Sequence, residues 1–328
     1  MDAAVDAAID AGPRDAQSGD GGLDPNSKVD WTALGKPELI SAGFTLTESP
    51  LWDHCHDRLL FTDVAAQTIH TLDLAVDPDA DAGAAIGALV TDTAYANGLA
   101  FDPKGALLLA EMGGKSGGDI ARLNADGTRS VIVDRDATDK PFGTTDDLVV
   151  RSDGTIYFTD PVFPYASFTA FSAAVRPIYR LPTGGSAAEL VQEASASTPN
   201  GIELSPDEKT LYVAAYLSGD VLRFAVAKDG SLTAKDPLVT DLTTPDSMCV
   251  DATGNLYVGV STGLQVISPA GEKLALIPVT SARGVTNCTF GGENGRTLFI
   301  TAWTSLFRVD DMPVVGLDWK KNMRLACK

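Results

Sequence analysis

The sequence predicts an all-β protein, a six-bladed β-propeller whose blades are four-stranded antiparallel sheets. A hairpin unit recurs six times at a spacing of ~40–54 residues, the range of propellers and solenoids. Each copy runs on into a third short strand and usually a fourth, with Gly- and Asp-containing turns between them. No long helical pattern is present, so strands must supply the core, and radial repetition leaves them few open edges. A large β-sandwich is the competing architecture. It does not call for six copies of one hairpin with a polar residue in one fixed place.

The unit is plainest in its second copy, "ANGLAFDPKGALLLAEM": a polar residue, a short apolar strand, an Asp-Pro-Lys-Gly turn and a second apolar strand. The third copy is "TDDLVVRSDGTIYFTDP", the fourth "PNGIELSPDEKTLYVAAY" and the fifth "PDSMCVDATGNLYVGVS". The first, "TESPLWDHCHDRLLFTDV", and the sixth, "VTNCTFGGENGRTLFITAW", fit with a changed turn. Third strands follow in "DIARL", "PIYRL", "DVLRF" and "GLQVI", and a fourth in "RSVIV". Asp102, Asp153, Asp207 and Asp251 fall between the first and second strands, where Asp is expected to build the turn.

The 328 residues are 44% hydrophobic and carry a net charge of −19. That charge argues against nucleic acid, whose phosphates are met by basic patches. No apolar run of about 20 residues exists, so no transmembrane segment is expected. Residues 1–27 are rich in Ala, Asp and Gly and poor in bulky apolar side chains, which predicts a disordered acidic leader. Residues 28–328 then form a single propeller domain. The leader has the composition of a tether behind an export signal or a lost lipoprotein anchor, and the expected location is periplasmic or extracellular.

Counting four residues back from the last apolar residue of each inner strand reaches Glu48, Asn97, Asp146, Asn200, Asp246 and Thr286, with Asn287 next in the sixth copy. Inner strands surround one axis, so these positions form a ring. Taken singly, an Asn or Asp here reads as turn chemistry. Glu48 does not, because Glu is a poor turn former, and the shared register favours a common site. Converging carboxylates repel unless a cation offsets them, and an all-oxygen set suits calcium, or less well magnesium. Manganese and zinc are the other divalent candidates, although no Cys/His ligand spacing is present.

The same stretches, "TESPLWD", "NGLAFDPKG", "DDLVVRSDGTIYFTDP", "PNGIELSPDEKTLYVA", "PDSMCVDATGNLYV" and "TNCTFGGENGRTLFIT", resemble the gluconolactonase and senescence-marker-protein family, relatives of the diisopropylfluorophosphatases and paraoxonases. The resemblance implies a six-bladed propeller that holds a divalent cation, usually calcium, and hydrolyses sugar lactones. It implies that Glu48, Asn200 and Asp246 ligate the metal, that Asp246 is also the general base or nucleophile, and that Asp146 faces the metal or the substrate. The sequence departs from the family in Glu48-Ser49-Pro50, Thr144-Thr145-Asp146-Asp147 and Pro245-Asp246-Ser247. Asp146 stands where the family commonly has Asn, and an added carboxylate lowers a cation's effective charge toward a carbonyl.

Second strands return to the ring end of each hairpin, so Met112, Phe163, Tyr216 and Trp303 are expected to line the mouth, with Asn97, Asp147 and Asn287 as polar substrate contacts. An apolar, aromatic entrance suits an aryl ester as well as a lactone. A small-molecule substrate is therefore expected, with lactone hydrolysis as the leading activity. Aryl or phosphoester hydrolysis and a non-catalytic ligand-binding propeller are the alternatives. The "HCH" at 54–56 falls in the first hairpin turn, away from the ring. Cys249 and Cys288 are read as packed thiols on adjacent inner strands, and Cys55 and Cys327 as the candidates for a disulfide.

Overall fold

The computed structural model describes residues 29–74, 85–113, 117–161, 177–193 and 198–317. The predicted leader, Phe163 and Cys327 lie outside these residues. The fold is an all-β propeller of four-stranded antiparallel blades. One blade contains β5 (Ala96–Phe101), β6 (Leu107–Glu111), β7 (Asp119–Leu123) and β8 (Arg129–Val133), paired in that order. The next contains β9 (Leu148–Val150), β10 (Ile156–Thr159), β11 (Pro177–Leu181) and β12 (Glu189–Glu193). Two more follow: β13 (Pro199–Leu204), β14 (Thr210–Ala215), β15 (Asp220–Val226) and β16 (Leu232–Val239), then β17 (Met248–Val250), β18 (Leu256–Val260), β19 (Gly263–Ile267) and β20 (Lys273–Pro278).

The remaining strands form one sheet instead of the two separate blades expected from the sequence. Its order is β21 (Asn287–Gly291), β22 (Thr297–Val309), β1 (Glu38–Asp53), β2 (Arg58–Asp63), β3 (Thr68–Asp73) and β4 (Ile86–Thr91). The joining has a clear cause. β1 is long enough to serve two neighbours: its first residues, from Glu38, pair with the end of β22, and its last, to Asp53, pair with β2. β22 also doubles back near Trp303, since Met312 N donates to Arg296 O at 2.9 Å and Thr297 Oγ1 donates to Asp310 Oδ1 at 2.9 Å. The N-terminal strand thereby ties to the C-terminal one, and the ring is closed by backbone hydrogen bonds.

The second strands are mostly apolar and buried because neighbouring sheets cover them on each side. β6, β10 and β18 are buried along their whole length, in keeping with their largely apolar sequences. The predicted turn aspartates do build the turns. Asp102 Oδ1 accepts from Lys104 N and Ala106 N at 2.8 and 2.9 Å, and Asp251 Oδ1 accepts from Thr253 N and Asn255 N at 2.8 and 3.0 Å. Among the described residues, no helix is long and apolar enough to cross a membrane.

The cysteine expectation needs correcting. Cys249 and Cys288 are joined in a disulfide, with Cα atoms 5.6 Å apart. Adjacent inner strands are crowded together near the axis, which brings the two thiols of β17 and β21 within bonding reach. Cys55 is disulfide-bonded as well. Its expected partner, Cys327, lies outside the described residues.

Candidate metal and active site

Glu48, Asn97, Asp146, Asn200, Asp246 and Thr286 all line one cavity of about 90 Å³, together with Leu46, Met112, Tyr216 and Trp303. Asp246 is half-buried, whereas the other five ring residues are buried. The ring expected from register alone is therefore assembled at one end of the axis, and three of the four expected mouth residues stand over it.

The backbone presents these side chains in two ways. At four of the six positions the residue two before the ring residue is left-handed: Tyr95 (φ 62°), Thr198 (φ 39°), Thr244 (φ 51°) and Gly284 (φ 102°) precede Asn97, Asn200, Asp246 and Thr286. For residues with a Cβ this conformation is unfavourable, and it persists where the surroundings fix it. At the other two positions a carboxylate from the end of the second strand does this. Asp63 accepts from Thr45 N and Leu46 N ahead of Glu48, and Asp160 accepts from Gly143 N and Thr144 N ahead of Asp146. Bulges in the pairing of β1, β5 and β13 fall at Glu48, Asn97 and Asn200, where they turn the side chain toward the axis.

Neighbouring blades are latched at the level of the ring. Gly201 N donates to Asp246 O at 3.0 Å, and Ser247 N donates to Thr286 O at 2.9 Å. Thr286 Oγ1 donates to Thr47 O at 2.8 Å, and Thr159 Oγ1 donates to Asn200 O at 2.6 Å. This closeness explains the Asn-Gly pairs. A Cβ on Gly98 would stand 2.9 Å from Asp146 O, and one on Gly201 would stand 2.3 Å from Ser247 Cα.

The electrostatics are those of crowded acids. Burial, and then the charges of Asp246, Asp146 and Asp147, push the Glu48 carboxyl well above its ordinary range. Asp146 is driven up in the same way, although the Asn97 amide donates to its Oδ1 at 2.6 Å and opposes the rise. Asp246 is pushed up to about 8 by burial and by Asp147, against a hydrogen bond from Asn200. No basic side chain lines the cavity to relieve this repulsion. Among the described residues no three Asp, Glu, His or Cys side chains are gathered into a ready-made metal cluster. The donor set instead mixes carboxylate and amide oxygens, and that hard, anionic chemistry fits a calcium-like cation.

Two expected substrate contacts face elsewhere. Asp147 accepts from Ser247 Oγ at 2.6 Å and Ile202 N at 3.2 Å, and Asn287 Oδ1 accepts from Cys288 N at 2.7 Å. Both line a second cavity of about 140 Å³ formed by residues further along the same inner strands, including Leu51, Val149 and Leu204. Alternation along a strand accounts for this, because the neighbour of a ring residue points to the other side. The "HCH" turn also stays away from the ring. His54 and His56 line a separate cavity, and His56 Nδ1 lies 2.7 Å from Asp53 Oδ2.

Residues 46–304 match the SMP-30/gluconolactonase/LRE-like region. The chain belongs to this family. It is 30% identical over 301 residues to a gluconolactonase of Zymomonas mobilis, covering 83% of this chain and 80% of the relative. It is 25% identical to regucalcin of Xenopus laevis, covering 87% of this chain and 89% of that one. Among solved structures, a gluconolactonase of Xanthomonas campestris superimposes with a TM-score of 0.73 at 30% identity, covering 84% of this chain and 89% of the other. Regucalcin of Agrobacterium tumefaciens, described as a calcium-binding protein, has the same fold, with a TM-score of 0.69 at 16% identity over 86% and 95% of the chains.

Within this SMP-30/gluconolactonase frame, the parts not foreseen from the sequence are the supports of the ring. Leu46 completes the mouth, and Asp63 and Asp160 fix the segments that lead into Glu48 and Asp146. A signal for the two aspartates was present: "FTD" closes the second strand of the first and third copies and of no other copy.

Proposed function

We propose that the protein is a calcium-dependent lactone hydrolase with its active site at the polar ring. The observation that carries this reading is the convergence of Glu48, Asp146, Asn200 and Asp246 on one cavity with no basic group, in a member of the gluconolactonase family. Glu48, Asn200 and Asp246 would hold the cation, with Asp146 beside them. When bound there, a divalent cation polarises a substrate carbonyl and offsets the charge that develops on its oxygen. The calcium-binding regucalcin relative supports calcium over other divalent cations.

Asp246 is the general base in this reading. It is the least covered carboxylate of the ring, so attacking water can reach it. With a cation bound, Asp246 would be held in its ionised form, and as a carboxylate it is suited to take a proton from that water. Asn200 orients Asp246 through their hydrogen bond, and Asn97 orients Asp146. Met112, Tyr216, Trp303 and Leu46 exclude bulk water and cover the apolar face of a ring-shaped substrate. The same apolar rim favours aryl esters as a second substrate class.

The six-stranded sheet is read as two blades joined by β1, the doubled-back β22 supplying two strands of the last, which restores the six-bladed count. We also place the protein in an oxidising compartment, a reading supported by the disulfide chemistry of Cys249, Cys288 and Cys55. The functional test is a panel of aldonolactones, aliphatic lactones and aryl esters assayed before chelation, after chelation and after calcium return. Calcium-restored hydrolysis of a lactone supports the reading. Metal retention with no hydrolysis of any compound would identify a non-catalytic binding propeller.

A further inference from the structure

We infer that Arg283 forms an anion-binding subsite at the rim, so that the preferred lactones carry a carboxylate. The inference rests on the lactonase reading above and adds a substrate class to it. The Arg283 guanidinium lies over the Trp303 ring, 4.3 Å from its centroid, and Trp303 lines the ring cavity. Arg283 is exposed, and no carboxylate among the described residues forms an ion pair with it. A guanidinium stacked by its face keeps its N–H edge available, and that edge matches the two oxygens of a carboxylate.

Both partners of the stack are held in place. Trp303 is left-handed at φ 55°, unusual for a bulky side chain, and its carbonyl accepts from Thr47 Oγ1 at 2.9 Å, directly beside Glu48. The Arg283 loop is closed by Ser281, whose Oγ donates to Gly284 O at 2.7 Å and accepts from Gly284 N at 2.8 Å. Gly284 cannot easily be replaced, because a Cβ there would stand 2.7 Å from Ser261 Cα. The charges of both Asp246 and Arg283 reach the Tyr216 hydroxyl, the first raising and the second opposing the rise of its pKa. Arg283, Trp303 and Tyr216 therefore share one edge of the mouth.

Charge balance explains why a cation at this edge would matter. Glu48, Asp146 and Asp246 outweigh one divalent ion when all three are ionised, so the ring repels an anionic substrate. A neutral lactone meets no such barrier and does not need Arg283. A carboxylated lactone does, and the planar fork of arginine would set its orientation as well as its affinity.

The test compares glucono-1,4-lactone with glucaro-1,4-lactone, which share the same five-membered ring and configuration and differ in the carboxylate. Arg283→Gln should raise KM for the glucarolactone about tenfold or more with kcat little changed, and should alter kcat/KM for the gluconolactone by less than about twofold. Arg283→Lys should recover part of the loss, because it keeps the charge and loses the fork. Equal effects on both lactones, or none on either, would overturn the subsite. If the wild-type protein hydrolyses neither lactone, the subsite is read independently of turnover by calorimetry with glucuronate and glucose. Glucuronate binding that disappears in Arg283→Gln sustains it. Equal binding of both sugars, or of neither, overturns it.

Discussion

Asn97 donates its side-chain amide to Asp146 Oδ1 at 2.6 Å, joining the ring residues of two neighbouring blades inside the cavity. The pair fixes one oxygen of a carboxylate that has no basic partner, and it leaves the other oxygen for a ligand. An Asn97→Asp change replaces the donor with a second acid at the same short separation. At pH 8 the metal-free variant should lose about 2 kcal/mol of stability. Calcium should raise its melting temperature more than it raises that of the wild type, because the ion relieves the added repulsion. Thermal scans in chelator and in calcium measure both effects. An unchanged calcium response would show that Asp146 does not face the cation.

The Cys249–Cys288 disulfide latches the inner strands β17 and β21 just behind the ring, at a sequence separation of 39. Loop-closure entropy for a separation of that size corresponds to about 4 kcal/mol, an upper figure because unfolded chains keep some structure. The double replacement by Ala should lower stability by about 2–4 kcal/mol. The ring should survive, since Ser247 N to Thr286 O still joins the segments leading into the same two strands, and Gly201 N to Asp246 O ties the β17 side to β13. Denaturant melts of the double variant and of the reduced wild type check this. A double variant as stable as the oxidised wild type would show that the strand latches alone hold this edge.

The hairpin repeat and the six ring positions were legible from residue spacing, because strand alternation and radial repetition act locally and in every copy. "NGLAF" and "NGIEL" also showed glycine beside the ring. What spacing could not show is which way a side chain turns once a strand is bulged. Asp147 and Asn287 are adjacent in sequence to ring residues yet face the second cavity. Contacts between blades were hidden for a different reason. The Cys249–Cys288 bond and the Thr159 Oγ1 link to Asn200 O depend on distances between strands that are far apart in sequence. The joining of β1 and β22 was hidden too, because the residues around Glu38 pair with the end of β22 and belong to no hairpin copy of their own.

The crowded acids predict opposite pH behaviour with and without metal. In the metal-free fold Asp147 is pushed up to about 6 and Asp246 to about 8, first by burial, and Glu48 and Asp146 are raised as well. A group whose folded pKa lies above its unfolded value contributes stability at low pH and loses it as pH rises through the folded value. The metal-free melting temperature should therefore fall from about pH 4, where the unfolded carboxylates ionise, to about pH 8, most steeply below about pH 6 while Asp147 and Asp246 both still hold their protons in the fold. A bound cation favours the ionised carboxylates, so calcium affinity should tighten over the same interval and flatten or reverse the decline. Melting curves at fixed pH in chelator and in calcium decide the matter. Parallel pH profiles would mean that the ring carboxylates are not the calcium ligands.

Asp246 and Glu48 should fail in different ways, and the difference separates chemistry from metal holding. Asp246→Asn keeps a side-chain oxygen facing the cavity but cannot accept a proton at neutral pH. Turnover should fall by about 10²-fold or more while calcium still stabilises the variant at higher concentration. Glu48→Gln also removes a charge, yet Glu48 has no proton-transfer part. Much of its activity should return when calcium is raised, because the lost attraction is replaced by mass action. The half-buried position of Asp246 and the deeper burial of Glu48 agree with that division. The measurement is kcat on the best lactone of the panel across a calcium titration, paired with melting shifts that report occupancy independently. Full recovery of Asp246→Asn in excess calcium would remove the base from Asp246. Asp146 would then be the next carboxylate to change, since Asp147 is held by Ser247 and Ile202 on the far side of the ring.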